Sequence, residues 1–375
     1  MIPVNTPLLD GNEQTFLNGC IETAWISSEG AYVAQFEDSF AHRVRRAHGI
    51  AVNNGSSALE LALAALDIGP GDEVILPTFT IISCAAAIIR AGAKPVFVDC
   101  DPNTWNMQVD LIAPLITTQT KAIMAVHIYG LPTDMEPLVA LANAHGLYVI
   151  EDAAEAHGLE YQGKSCGSFG HISTFSFYAN KLITTGEGGM VLTDDPVLAD
   201  RCRSLRNLAF GRENRFRHAA LGWNFRMSNL QAAVGVAQLA QLDRFLCIKR
   251  AIGRRYTERL REIDTLQLPL ERTKETENSY WVFGVVLKDH FPVDAAVVME
   301  NLNSRGIGTR PFFWPMHEQP ILIERGLVDE RRFPVAERIS RRGFYLPGGA
   351  GLLLSQVDQA CDTLIEVLAT LGGQS

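Results

Sequence analysis

Lysine is the scarce cation in this chain. Seven of its 33 Lys and Arg residues are lysines, at positions 94, 121, 164, 181, 249, 274 and 288, so any chemistry that needs an amine side chain has a short list of candidates. Positive charge is in deficit overall, because 42 Asp and Glu leave a formal charge of −9. Nucleic acid asks for a broad basic face, so a general nucleic-acid binder is excluded. A small anion held by a few arginines or backbone amides is not. No apolar run reaches the ~18 residues of a membrane span, and none is expected. The opening residues MIPVNTPLLDGNEQTF hold neither a basic segment nor a long apolar one, so no secretory signal is expected there. The cysteines (20, 84, 100, 166, 202, 247 and 361) are odd in number, far apart and never in a Cys-x-x-Cys pair. That usage fits reduced thiols in a cytoplasmic protein better than a disulfide framework or a zinc site. No internal repeat or low-complexity segment is found.

What is present is enough apolar material for a core: 47% of 375 residues. That excludes wholesale disorder and suggests a large domain with a smaller partner. From 50 to 200 short apolar runs alternate with helical patterns. Asp72–Pro77, Pro95–Asp99, Thr120–His127 and Leu147–Asp152 read as strands, with helices over Thr80–Gly92 and Met135–His145. This alternation predicts an α/β fold with a mainly parallel sheet covered on both faces. Ligands then bind beyond the carboxyl ends of the strands. Ser173–Tyr178 and Gly189–Thr193 follow as strands, and 206–229 reads as a long loop rich in Arg and aromatics, functional or interfacial. Helical periodicity then runs from Asn229 to about Ile263. The rest offers a strand over Tyr280–Leu287, a helix over Val293–Ser304, a strand over Gly308–Phe313 and a closing helix from about Ser355. The expected division is a large α/β domain over 1–245 and a small α+β domain over 246–375, linked by the long helix.

Three motifs carry chemistry, and each has a bland alternative. Asn53-Asn-Gly-Ser-Ser57 opens an amphipathic helix whose free amides, with the hydroxyls of Ser56 and Ser57, can hold a phosphate; the alternative is an ordinary N-cap. Asp152 ends a strand and so points into the ligand crevice; it could instead be a turn residue. Lys181 lies between apolar segments beside a glycine-rich turn. Lost solvation lowers the pKa of such a lysine, as a Schiff-base lysine requires; the alternative is a packed stem with its head in water. Together the three supply the parts of a pyridoxal phosphate site. They are a phosphate anchor, an acid to keep the ring nitrogen protonated and an amine for the aldehyde. Asp152 precedes Lys181 by 29 positions (181 − 152 = 29), room for the intervening strands.

Other signals are weaker. Gly158-Leu-Glu-Tyr-Gln-Gly-Lys-Ser165 fits a P-loop pattern, but Cys-Gly-Ser-Phe-Gly follows where a helix must start, so a surface hairpin is expected and not a nucleotidase. His127, His157 and His317 do not form a metal-ligand spacing. His127 and His157 read as hydrogen-bonded or packing residues. His317, in the Pro- and aromatic-rich stretch Arg310–His317, is a candidate for substrate contact. Arginines 206, 212, 215, 217 and 226 could hold an anionic group or form a solvated face.

At this point the chain resembles the DegT/DnrJ/EryC1/StrS family of pyridoxal-phosphate-dependent sugar aminotransferases. The likeness runs nearly end to end. It rests on Trp25–Gly30, Asn54–Ser57, the PTFT stretch at 77–80, Val126–Gly130, Glu151–Ala156, Thr174 through Gly189, and Gly222–Asn229. It implies an aspartate-aminotransferase-like fold of type I and a homodimer with shared active sites. It also implies that Lys181 attaches the cofactor and later shuttles a proton. By the same resemblance Asp152 pairs with the ring nitrogen and Glu155 contacts the ring hydroxyl. Gly55, Ser56, Ser57 and Ser176 hold the phosphate, and Asn224 reaches it from the neighbouring subunit. The implied substrates are glutamate and a nucleotide-linked 4-keto-6-deoxy sugar. The DAAEA and ITTGEGGM stretches look most like the branch that acts on GDP-4-keto-6-deoxymannose; dTDP- or UDP-linked sugars are the alternative. A non-catalytic sensor on the same scaffold ranks lower, and so does a related dehydratase branch with His in place of Lys181. One departure stands out: Ile81 occupies the place where many members stack an aromatic on the cofactor ring, and alternation points Phe79 elsewhere.

Overall fold

The computed structural model describes residues 1–211 and 214–373. Two N-terminal helices, α1 (Glu13–Glu22) and α2 (Ala31–Val44), precede the first strand, β1 (His48–Val52). The α/β alternation expected from the sequence follows as α3 (Gly55–Ala65), β2 (Glu73–Pro77), α4 (Ile82–Arg90), β3 (Lys94–Val98), β4 (Thr120–Val126), α5 (Met135–Ala144) and β5 (Tyr148–Asp152). A hairpin of β6 (Glu160–Tyr161) and β7 (Lys164–Ser165) leads to β8 (Ile172–Ser176), β9 (Gly189–Thr193) and α6 (Pro196–Arg206). The large sheet has seven strands in the order β1-β9-β8-β5-β4-β2-β3. The pairs from β3 to β8 are parallel, whereas β9 runs antiparallel to both β8 and β1.

Both faces of this sheet are buried, which explains why its strands read as continuous apolar runs. Alternate residues go to opposite cores. Val74, Leu76, Met124 and Ile150 pack under α3, α4 and α6. Ile75, Ile123, Ala125 and Val149 pack on the other side with Phe36, Phe40, Met135 and Phe245.

The periodic stretch after residue 229 is not one helix. It divides at Ala240 and Gln241 into α7 (Asn229–Leu239) and α8 (Leu242–Leu260). A capping box between Ser228 and Gln231 fixes the start of α7, and the break spans too few residues to disturb the helical period. The C-terminal part builds a four-stranded sheet from β10 (Leu266–Gln267), β11 (Phe283–Leu287), β12 (Arg310–Pro311) and β13 (Gly343–Leu346). Helices α9 (Ala295–Ser304), α10 (Pro320–Glu324), α11 (Pro334–Arg342) and α12 (Leu354–Gly372) accompany it. Two predicted strands shorten for local reasons. Tyr280 takes a left-handed φ of 52°, which delays β11 to Phe283. Pro311 has no amide to give the ladder, so β12 is a two-residue edge.

The P-loop-like segment is the expected hairpin. Gln162 and Gly163 both have positive φ, 49° and 74°, as a tight primed turn requires. Lys164 Nζ lies 4.5 Å from the centroid of the Phe169 ring. Among the described residues, no helix is long and apolar enough to cross a membrane.

Candidate active site

The carboxyl ends of β4, β5 and β8 and the first turns of α3 and α4 converge on a cavity of about 380 Å3. Helix α3 begins there because the Asn54 side chain accepts from Ser57 N at 2.8 Å, freeing the preceding amides. Gly55 and Ser56 N–H groups have no acceptor among the described residues. A Cβ on Gly55 would stand 2.7 Å from Ser176 Cβ, so only glycine lets α3 start this close to β8. Ser56 Oγ donates to Ser83 Oγ at 2.9 Å, and Ser176 Oγ accepts from Tyr178 N at 3.3 Å. Free amides, a helix dipole and hydroxyls from three elements make an anion cradle. Ser57 does not line the cavity; its backbone serves the cap.

Asp152, the last residue of β5, is buried at the cavity wall. Among the described residues its carboxylate accepts only from Ala154 N at 3.1 Å and Cys84 Sγ at 3.3 Å. Burial raises its carboxyl above the ordinary range. Such a carboxylate favours a cationic N–H partner from a ligand. The strand carrying it is braced by its neighbour Glu151, which accepts from Gly167 N at 2.5 Å and Phe169 N at 2.8 Å and pairs with His127 Nε2 at 2.9 Å. His127 is therefore hydrogen-bonded, as expected. His157 packs against Phe40, Phe175 and Phe177, and burial pushes its pKa down to about 3, keeping it neutral.

Lys181 and Glu155 face each other in the cavity, with Nζ 3.3 Å from Oε1. Glu155 Oε2 also accepts from Tyr129 N at 2.8 Å, and burial pushes the Glu155 carboxyl up to about 7. Tyr129 holds that position with a left-handed φ of 57°, strain for a bulky residue that sits at the site itself. Its ring is fixed by Phe312, Phe313 and Trp281. Lys181 Nζ lies 3.9 Å from the Trp281 ring centroid, and Trp281 Nε1 donates to Asn180 O at 2.9 Å. The lysine is thus held by a carboxylate and an aromatic face, with little water.

Sequence reasoning overlooked Ser83, Cys84, Trp281 and Tyr345. Ser83 sits just past the PTFT stretch and could have been found by extending the motif. Trp281, just before β11, and Tyr345, on β13, come from the C-terminal part, and nothing local marks them. Ile81 does line the cavity and is 43% exposed, while Phe79 is fully buried against Tyr129 and Phe313. His317 is not part of the lining. Its Nδ1 is hydrogen-bonded to Thr78 Oγ1 at 2.8 Å and its ring packs on Phe333. Asn224 lies away from this cavity and binds Arg226 at 2.7 and 3.0 Å. Arg206 is engaged by Glu37 and Ala51 O, and Arg215 lies over the Phe210 ring. Arg212 lies outside the described residues.

The residues present fit pyridoxal phosphate: an unpaired amide cradle, a buried carboxylate short of partners and a semi-enclosed amine share one cavity. Comparison with known proteins agrees. A model of the DegT/DnrJ/EryC1/StrS aminotransferase family matches residues 7–365. A GDP-perosamine synthase of Vibrio cholerae is 42% identical over 97% of this chain and 98% of its own length. One of Caulobacter vibrioides is 41% identical over 98% of each. The crystal structure of the aminotransferase TlmJ from Streptoalloteichus hindustanus superposes with a TM-score of 0.92 at 30% identity, covering 99% of this chain and 100% of that one.

Proposed function

The chain belongs to the DegT/DnrJ/EryC1/StrS aminotransferase family, and on that premise we propose that it moves an amino group from glutamate to C4 of GDP-4-keto-6-deoxymannose, yielding GDP-perosamine. Two relatives of nearly equal length named GDP-perosamine synthase, at 41% and 42% identity, support this choice of sugar nucleotide. The observation that carries the chemistry is the shared cavity: Lys181, Asp152 and the α3 start all line it. Bound there, pyridoxal phosphate supplies an electron sink and a carrier for nitrogen.

The chain's own groups have distinct tasks in this reading. Gly55, Ser56 and Ser176, joined by Ser83, hold the cofactor phosphate; Ser57 serves through the cap. Asp152 keeps the ring nitrogen protonated, a duty its few protein hydrogen bonds leave open. Glu155 contacts the ring hydroxyl, and burial, which pushes its carboxyl up to about 7, lets it hold a proton there. Lys181 Nζ would hold the cofactor's aldehyde carbon and, as a free amine, would move a proton at the substrate carbon. Trp281 and Ile81 limit water at that nitrogen. Asn224 acts on the phosphate of a second copy, which makes a cytoplasmic homodimer with shared sites the working unit. His317 acts on the substrate only through the loop it fastens to Thr78.

Incubation with glutamate and GDP-, dTDP- and UDP-linked 4-keto-6-deoxy sugars, read by mass spectrometry, tests the proposal. An amino sugar from the GDP compound alone is expected. A product from only a dTDP or UDP sugar would refute the substrate and keep the reaction class. Failure of glutamate to convert the bound cofactor to its amine form would indicate a sensor.

A further inference from the structure

The main cavity does not end at its own wall. A second recess of about 270 Å3 shares Tyr178, Asn180, Trp281 and Tyr345 with it. Among the described residues its one charged lining residue is Arg310, exposed on the edge strand β12. Arg310 pairs in register with Tyr345 on β13, and Tyr345 lies within electrostatic reach of both Arg310 and Glu155. The tyrosine therefore stands between the catalytic pocket and this guanidinium.

The state of Arg310 sets it apart from its neighbours. Arg338 is bound to Asp289, Arg341 to Glu318 and Arg342 to several backbone carbonyls. Arg310 has no ion pair and no side-chain hydrogen bond among the described residues. The inner cavity, in contrast, is lined among the described residues by Asp152, Glu155 and Glu187 against the single Lys or Arg cation Lys181. An anionic substrate entering a net-negative pocket of a chain with charge −9 needs a positive group outside it.

We infer that Arg310 is the anion anchor at the mouth of the site and binds the diphosphate of the nucleotide-linked substrate. This rests on the function proposed above. A cavity of about 380 Å3 that also holds the cofactor leaves room for a sugar ring beside Lys181, not for the nucleotide attached to it. The diphosphate then falls in the adjoining recess, where a planar guanidinium with free donors can grip it in two-point fashion. The distal carboxylate of the amino donor offers similar anionic oxygens but belongs to a short molecule that the inner cavity can contain.

Calorimetric titration of the cofactor-loaded protein with GDP, and with guanosine as the phosphate-free control, tests the assignment. Arg310→Met is expected to weaken GDP at least about tenfold while changing guanosine affinity by less than about twofold, and Arg310→Lys is expected to recover part of the loss. Because Arg310 is exposed at a sheet edge, both variants should keep the parent melting temperature, and circular dichroism checks this. GDP binding to Arg310→Met within about twofold of the parent would overturn the inference. So would a loss confined to the glutamate KM with GDP affinity retained, which would make the donor carboxylate the ligand. A parent protein that binds dTDP or UDP but not GDP refutes the nucleotide proposed above; the same pair of proteins, titrated with that diphosphate, then decides Arg310.

Discussion

At the scale of single residues, the site depends on groups whose burial has consequences. On the proposed reading Lys181→Ala removes both a nucleophile and a general base, so turnover should fall by at least about a thousandfold. A coupled assay for 2-oxoglutarate measures it. Asp152→Asn keeps the shape and loses the charge that holds the ring proton. Bound cofactor should persist while kcat drops at least about a hundredfold, a loss of electrostatic stabilisation rather than of binding. Lys249 is a different case. It is fully enclosed, donates to Trp281 O at 2.9 Å and to Gly348 O, and burial pushes its pKa down to about 7. The unfolded chain binds a proton at this lysine that the folded chain gives up between pH 7 and the ordinary lysine range. Folding should therefore gain from this residue as pH rises, by about 2 kcal/mol between pH 7 and 9. Urea unfolding of the parent and of Lys249→Met at the two pH values measures it. The parent should gain relative to the variant; a constant difference would contradict a neutral buried amine.

Elements position these groups through close approach. The start of α3 lies against the end of β8, and the glycine at the contact leaves no space to spare. Gly55→Ala places a methyl where Ser176 Cβ already stands. The helix must move outward, at a cost of about 1–3 kcal/mol. Since the displaced amides form the anion cradle, cofactor affinity should fall at least about tenfold with it. Fluorescence titration with pyridoxal phosphate reads the affinity and a thermal melt reads the stability. An undiminished affinity would mean that the cradle does not depend on this contact. The edge strand β12 is short because Pro311 gives the ladder no amide, and the exposed Arg310 side chain beside it has no partner among the described residues.

At the scale of the whole molecule, the C-terminal sheet closes a site that the large sheet begins. Trp281 and Tyr345 wall the cavity opposite α3. His317 and the amide of Met316, 2.8 Å from Thr78 O, fasten their loop to the end of β2. The proposed shared-site dimer gives a further expectation. Lys181→Ala and Asn224→Ala proteins, each inactive alone, should on mixing and exchange of subunits regain about a quarter of parent activity, because half the dimers form one intact site. No recovery after confirmed exchange would place Asn224 outside its partner's site.

How much was legible in the residues follows from how local each signal is. The apolar alternation from 72 to 152 marks strands buried on both faces, and so declared the α/β class. Asn54–Ser57 and Asp152 sit at element ends, where ligand groups gather, and Lys181 lies in the loop after β8; together they declared the kind of chemistry. The break at Ala240 was hidden because two helices in one period look like one. The sequence by itself determined the class of fold and the aminotransferase family, because each rests on short-range patterns. Only the tertiary structure decided that Ser83 completes the cradle, that Trp281 lies against Lys181, that His317 fastens a loop, and that Arg310 lines the adjoining recess with no side-chain partner among the described residues. Those facts depend on which distant segments the packed sheets bring together, and contacts between remote parts of a chain leave no local trace.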